Sequence, residues 1–358
     1  MMSRRRHTGG AQDPRGINMT DNRTIDKYFE QEDLTPRLAE ITRAICDETG
    51  FILGEEFHRR FLYDRDKTWR VKYAGTFEER PAVLLVVGMK PEEDEEGIRE
   101  AFRAQAKGTR VRPPHTYVHR PFDEGKGYGF MIEERVDAPP LFDVEGDPVA
   151  AARAFASFYR QLRLAVAKPF WDNEHGSLRE FTERQAEKWI ELAKRKHPEA
   201  FARVEPHALH LRDAMLAALR DTGHLQFMHA HLAPGDVRHL SSDEYVVFAN
   251  HFWSWRQSAY DVAFAVWQQW MHLPVGRRTP EDVARITNTW RDEITSACPE
   301  YVRTEDLHAM LLNRLLGSLI LDVPAKERLA PESPATVAPL YEAFVKEGKR
   351  LANGPHLD

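Results

Sequence analysis

The spacing of apolar residues turns from mostly strand-like to mostly helical near residue 140. Before that point, "HRRFLYDRD", "TWRVKYAG" and "RPAVLLVVGM" are short β-prone runs broken by charged turns and glycine. "HTYVHRPFDEGKGYGFMIEERVDAPPLF" then reads as two strands around a glycine-containing hairpin, running into a proline-containing linker. Two helical segments accompany these strands. "TPRLAEITRAICDET", residues 35–49, places Leu38, Ile41 and Ile45 on one face. "PEEDEEGIREAFRAQAKG" opens with proline and acids, which suit a helix N-terminus, and closes on Gly108. From Pro148 onward the period is helical: "PVAAARAFASFYRQLRLAVA" aligns Phe155, Phe158, Tyr159 and Leu162. "LREFTERQAEKWIELAKRK", "AYDVAFAVWQQWM" and the segments after them continue it, interrupted by a loop and the β-prone "EYVVFAN". The expectation is an α+β chain of two lobes: a leader over 1–30, a small β-rich lobe over 31–140 and a larger helical lobe over 141–358.

The bulk numbers narrow the function classes. A length of 358 residues suits two lobes better than one small core. Fifty basic against 56 acidic residues give a net charge of −6, not the concentrated basic surface of a nucleic-acid binder. The longest apolar runs, such as "AVLLVVGM", fall far short of the ~20 residues of a membrane span, so no membrane partner is expected. Two distant cysteines, Cys46 and Cys298, make no disulfide framework and point to a reducing, cytoplasmic setting. The leader has a basic start with no apolar stretch behind it, unlike a secretory signal.

Three segments carry more specific information: "FMHAHLAPGDV", "YVVFANHFW" and "SAYDVAFAVW". Taken in order, they resemble three motifs of the aminoglycoside phosphotransferase and choline kinase family, the small-molecule form of the protein-kinase-like fold. The first looks like the catalytic loop H-G-D-x-x-x-x-N, the second like the strand ending in a metal-binding aspartate, and the third like the Y-D-L-A helix start. His231 and Asp236 are five positions apart, and Asp236 and Asn250 fourteen, as the family pattern spaces them. The resemblance covers roughly residues 40–350 and implies a two-lobe fold, ATP and Mg²⁺ as cofactors if the chain is active, and a small-molecule or protein partner of unknown identity.

The departures fall on the chemistry. His231 stands at the catalytic aspartate position. Asp236 stands where the metal-binding asparagine belongs, and Asn250 where the metal-binding aspartate belongs, as if exchanged. Both side chains still offer hard oxygens to a Mg²⁺ ion. The strand position of the nucleotide-binding lysine holds Leu85. Lys90 at the strand end and Lys72 one strand earlier are the candidate substitutes, with Glu100 or Glu96 as helix partner. The turn in "LYDRDKTWR" lacks the glycines that bring backbone close to phosphates. His231 is open to three readings: a base with a suitable pKa, a relic of lost catalysis, or a metal ligand paired with His229. The resemblance gives His229 and Asp261 structural roles in supporting the loop. The dense "HFWSWRQSAY" either fills space between loop and core or walls a pocket.

Two functions follow from these residues. One is a kinase-fold binding or regulatory module with little phosphotransfer, since that reaction rests on positioning and charge neutralisation by groups now replaced. The other is an active ATP-dependent phosphotransferase for a small hydroxylated molecule, with His231 as base and Asp236 and Asn250 on Mg²⁺.

Overall fold

A computed structural model describes residues 35–61, 69–88, 94–172, 177–219, 225–240, 244–329 and 334–354. The leader over 1–30, Lys90 and most of the "LYDRDKTWR" turn lie outside the described residues.

Helix α1 (Thr35–Thr49) precedes three antiparallel strands: β1 (Ile52–Phe61), β2 (Trp69–Phe77) and β3 (Arg80–Val87). After α2 (Glu95–Gln105) and the short β4 (Val111–Arg112) come β5 (Thr116–Asp123) and β6 (Tyr128–Glu134). The strand order β1-β2-β3-β6-β5 puts β3, with Val83 to Val87, at the centre of the sheet. Because side chains alternate between faces along a strand, Val71, Leu84 and Val86 point to one side. There they pack with Leu38, Ile41 and Ile45 of α1. Leu84, Val86 and Ile45 are fully buried, each contributing roughly 1.5–3 kcal/mol of apolar burial. Lys72 and its cross-strand neighbour Leu85 point to the other side, where Leu85, Val87 and Met131 form a separate apolar patch.

Helix α2 begins at Asp94, whose carboxylate accepts the Gly97 N–H, with Glu95 and Glu96 in its first turn. Its inner face packs away from the α1 layer. Ile98 and Phe102 join the core of the larger lobe, and Phe102 meets Trp253 edge-on at 5.3 Å. Strand β4 belongs there too: it pairs in parallel with β9 (Tyr245–Val247), which in turn pairs with β8 (Val237–His239).

The larger lobe is mostly helical. Helix α3 (Pro148–Ala165) starts at an Asp147 cap with proline at its first turn, and buries Phe155, Phe158, Tyr159 and Leu162. Helix α4 (Leu178–Lys196) starts with a capping box of Ser177 and Glu180. Helix α5 (Pro198–Ala218) leads to β7 (Gln226–Met228), and β7 pairs with β10 (Ser254–Arg256). Helix α6 (Tyr260–Met271) is buried on nearly every side, as an almost uniformly apolar helix must be. Helices α7 (Pro280–Ala297), α8 (Thr304–Gly317), α9 (Val323–Leu329) and α10 (Pro334–Ala352) surround it, with a π-helical turn at Ser318–Asp322. Among the described residues no helix is long and apolar enough to cross a membrane.

Candidate functional site

The loop after β7 runs along the base of the cleft between the lobes. Ala230 adopts a left-handed backbone (φ 64°), which turns the chain sharply between His229 and His231. A single 3₁₀ turn, Pro234–Asp236, follows, and Phe248 N–H closes the loop onto the Asp236 carbonyl at 2.7 Å.

The two loop residues expected at catalytic and metal-binding positions bond to each other. His231 Nδ1 donates to Asp236 Oδ2 at 2.8 Å. The imidazole stacks on Phe252 at 4.1 Å and touches the Phe264 ring at 4.6 Å. Burial alone would raise the Asp236 carboxyl, but the hydrogen bond and charge of His231, with a smaller contribution from Lys72, hold it below its usual value. The carboxylate is therefore ionised and has one oxygen already engaged.

Asn250 lies near this pair but faces inward. It is fully buried. Its Nδ2 donates to the Val247 carbonyl at 2.8 Å and its Oδ1 accepts from the Trp253 indole at 3.1 Å. Ala249 beside it is left-handed (φ 56°), which aims the side chain into the protein. Both ends of the amide are spent on the fold. Among the described residues no group of three or more His, Cys, Asp or Glu side chains is placed to hold a metal ion.

His229 supports the loop. Its ring is buried, its Nε2–H donates to the Phe248 carbonyl at 2.9 Å, and burial drops its pKa to about 4. This ring is not half of an H-x-H metal pair, because its Nε2 is engaged and its Nδ1 is sealed from solvent without a partner. Asp261, at the start of α6, is also fully buried. Burial raises its carboxyl to about 7 against the opposing influence of Arg163 and the backbone N–H groups of Ala230 and His229. Neither of its oxygens reaches full hydrogen-bond geometry.

The helix side of the cleft departs from the expected lysine–glutamate pair. Glu100 lies on the exposed face of α2. Glu96 accepts a hydrogen bond from Thr116 Oγ1 at 2.7 Å. Glu95 is the acid turned inward, and it belongs to an arginine and histidine network. Arg99 bridges Glu95 at 3.0 Å and Glu133 at 2.6 Å. His251 Nδ1 lies 3.4 Å from Glu95 Oε2, and Arg70 Nη1 lies 3.2 Å from His251 Nε2. Burial would raise the Glu95 carboxyl, but Arg99 and His251 together bring it well below the usual range. Sequence reasoning missed this network, although Glu95 and Arg99 stand four apart, the spacing of a helical ion pair.

Above the loop is a cavity of ≈ 130 Å³, lined in part by Phe57, Lys72, Val83, Val136, Asp236 and Phe248. This is well below the roughly 300–1,000 Å³ of pockets that enclose drug-sized ligands. Leu85 lies across the strand pair from Lys72, so the cleft-facing cation sits one strand away from the expected position.

No protein-family profile matches the sequence, and no curated protein matches it either. Solved structures do. A thermostable mutant of aminoglycoside phosphotransferase APH(4)-Ia in its apo form is 13% identical with a TM-score of 0.57, over 87% of this chain and 99% of that one. A ternary complex of such a mutant with ADP and hygromycin B gives 13% identity and a TM-score of 0.56, over 87% and 98%. The amicoumacin kinase hAmiN, in complex with AMP-PNP, Ca²⁺ and its ligand Ami, is 13% identical with a TM-score of 0.53, over 88% and 94%. The chain has the two-lobe, protein-kinase-like fold found in aminoglycoside phosphotransferases.

Proposed function

We propose that this chain is a phosphotransferase-like protein in which the fold serves binding or regulation and metal-dependent phosphoryl transfer is lost. The observation that carries this reading is the His231–Asp236 hydrogen bond together with the sealed Asn250 amide. A Mg²⁺ ion needs several oxygen ligands in near-octahedral order. The protein normally supplies one or two of them beside phosphate and water; here one oxygen of Asp236 is held by His231, and the buried Asn250 amide is turned away toward Val247 and Trp253. Leu85 offers no charge to a phosphate. The residues present do not fit a metal–nucleotide complex. Phosphoryl transfer rests almost wholly on positioning and charge neutralisation, and little rate should remain without these groups.

A second reading draws on one feature of the same geometry. With Nδ1–H committed to Asp236, the other ring nitrogen of His231 is the basic one, as in an imidazole oriented for proton abstraction. On that reading the chain phosphorylates a small hydroxylated molecule with His231 as base.

Calorimetric titration of the full chain with ATP, with and without Mg²⁺, combined with a γ-phosphate transfer assay, decides between them. The expected result is no Mg²⁺-dependent binding at micromolar ATP and no turnover. Robust turnover that His231→Ala reduces by roughly 10²–10⁴ with the fold intact would overturn the proposal.

A further inference from the structure

The carboxylates and arginines around the cleft are matched in pairs, with one ammonium left over. Glu133 is bound by Arg99 at 2.6 Å, Glu134 by Arg112 at 2.7 Å, and Asp236 by His231 at 2.8 Å. Arg135 is bound to Asp137 at 3.0 Å. Lys72 also lines the cavity, yet among the described residues it has neither a hydrogen bond nor an ion pair. It acts on Asp236 only through its charge. The strand register explains its position: the alternation that turns Val71 and Tyr73 toward α1 turns Lys72 into the cleft.

The lining is mixed: the charged Glu133, Glu134, Arg135, Asp137 and Arg238 stand beside an apolar strip. Phe57, Val83, Val136 and Phe248 line the same ≈ 130 Å³. That volume suits a ligand of single-ring size. The charge balance restricts the ligand further. One ammonium close to an ionised carboxylate compensates at most one negative charge, and a dianion would be repelled by Asp236.

We propose that the cleft binds a small organic monoanion with a flat apolar body, of the class of an aromatic carboxylate, held by Lys72 and independent of any metal. This rests on the reading of the chain as a binding module without metal–nucleotide chemistry. The phenyl-sized body lies against Phe57, Val83, Val136 and Phe248, and the carboxylate takes charge-assisted hydrogen bonds from the Lys72 ammonium.

The test uses the full chain, EDTA in the buffer, and three probes of one shape: benzoate, neutral benzamide and dianionic phenyl phosphate. Binding is read by calorimetry and by saturation-transfer NMR. Benzoate is expected to bind, with benzamide about tenfold weaker or worse, the usual loss for one charged hydrogen bond. Lys72→Gln should lose the same factor for benzoate while leaving benzamide unchanged, and Lys72→Arg should retain most benzoate binding. Lys72 is only half-buried, so both variants should fold, which thermal unfolding verifies. Equal binding of benzoate and benzamide, indifference to Lys72→Gln, or tighter binding of phenyl phosphate than of benzoate would each overturn the proposal. A parallel Mg-ATP titration separates the two readings. If Mg-ATP binds, the module reading falls and this one with it. If neither Mg-ATP nor benzoate binds, this one alone falls.

Discussion

The two faces of the five-stranded sheet are made by the same strands and serve different ends. On the α1 side, Leu38, Ile45, Val71, Leu84 and Ile132 are buried against one another with no charge among them. On the cleft side, adjacent positions carry Arg70, Lys72 and Glu133 beside a patch of only Leu85, Val87 and Met131. One face holds the lobe together by area removed from water. The other is held by ion pairs that stabilise only while complete, since a buried charge without its partner is costly. The consequence is that damage to the first face should lower stability in graded steps, whereas damage to the second should be abrupt.

The largest effect should come from Arg99, whose side chain is 2% exposed between two carboxylates. Arg99→Leu leaves the buried Glu133 without its arginine and Glu95 with His251 alone, and should cost about 3–5 kcal/mol in denaturant unfolding. Adding Glu133→Gln should recover part of that. If the single variant costs under about 1 kcal/mol, the range for exposed pairs, the cleft face is not held as described. The matching change on the other face, Leu84→Ala, should cost about 3 kcal/mol through lost burial and a residual cavity. It should leave benzoate affinity untouched, and a loss of binding would show that the faces are not independent.

The floor of the cleft allows a pH test of intermediate size. Asp261, with a folded-state pKa of about 7 against ~3.9 unfolded, binds more protons folded than unfolded between those values. Its contribution therefore falls as pH rises from about 4 to about 7. His229, at about 4 folded against ~6.5 unfolded, does the opposite: its contribution is lost as pH falls through that window. The two slopes oppose each other and the wild-type profile should be shallow there. Asp261→Asn should uncover a stability that rises with pH by on the order of 1 kcal/mol per unit between about 4 and 6.5. A profile unchanged by Asp261→Asn would mean that its carboxyl titrates normally. The smallest effect concerns the left-handed Ala249 (φ 56°). Ala249→Gly should stabilise by about 0.5 kcal/mol, because relief of strain slightly exceeds the added entropy of the unfolded glycine. Destabilisation would indicate that the alanine methyl packs usefully.

The same contrast explains how much of the molecule was legible in the sequence. The α1 layer could be read because its signal is periodic: Leu38, Ile41 and Ile45 mark a helix face, and Val83 to Val87 mark a central strand, as the structure has them. The helical lobe was legible for the same reason. The order of His229, His231, Asp236, Asn250 and Asp261 could be read as a loop, a strand and a helix start, and the structure gathers these elements under one cleft. What those side chains do there was not legible. Sequence treats Asn250 as an oxygen donor in reserve, and only the φ of Ala249 and the reach of Trp253 reveal that the amide is sealed. Nor does spacing indicate that His231 and Asp236 satisfy each other. The Arg70–His251–Glu95–Arg99–Glu133 network joins residues up to 181 positions apart, and no local pattern encodes it beyond the Glu95–Arg99 step. Glu100 and Glu96 stood as the helix candidates and Glu95 did not, because helical phase relative to a distant sheet is a tertiary property.

Strand β4 has a consequence for how the chain can be cut. It comes from the first third of the sequence, yet it completes the β8–β9 sheet of the larger lobe, and Ile98 and Phe102 just before it fill that lobe's core. A fragment beginning at residue 141 would carry an open sheet edge and a vacant apolar socket, features that invite aggregation. The two lobes should therefore melt in a single cooperative transition, and a stable, soluble truncation of the helical half should have to retain the segment from Glu95 to Arg112.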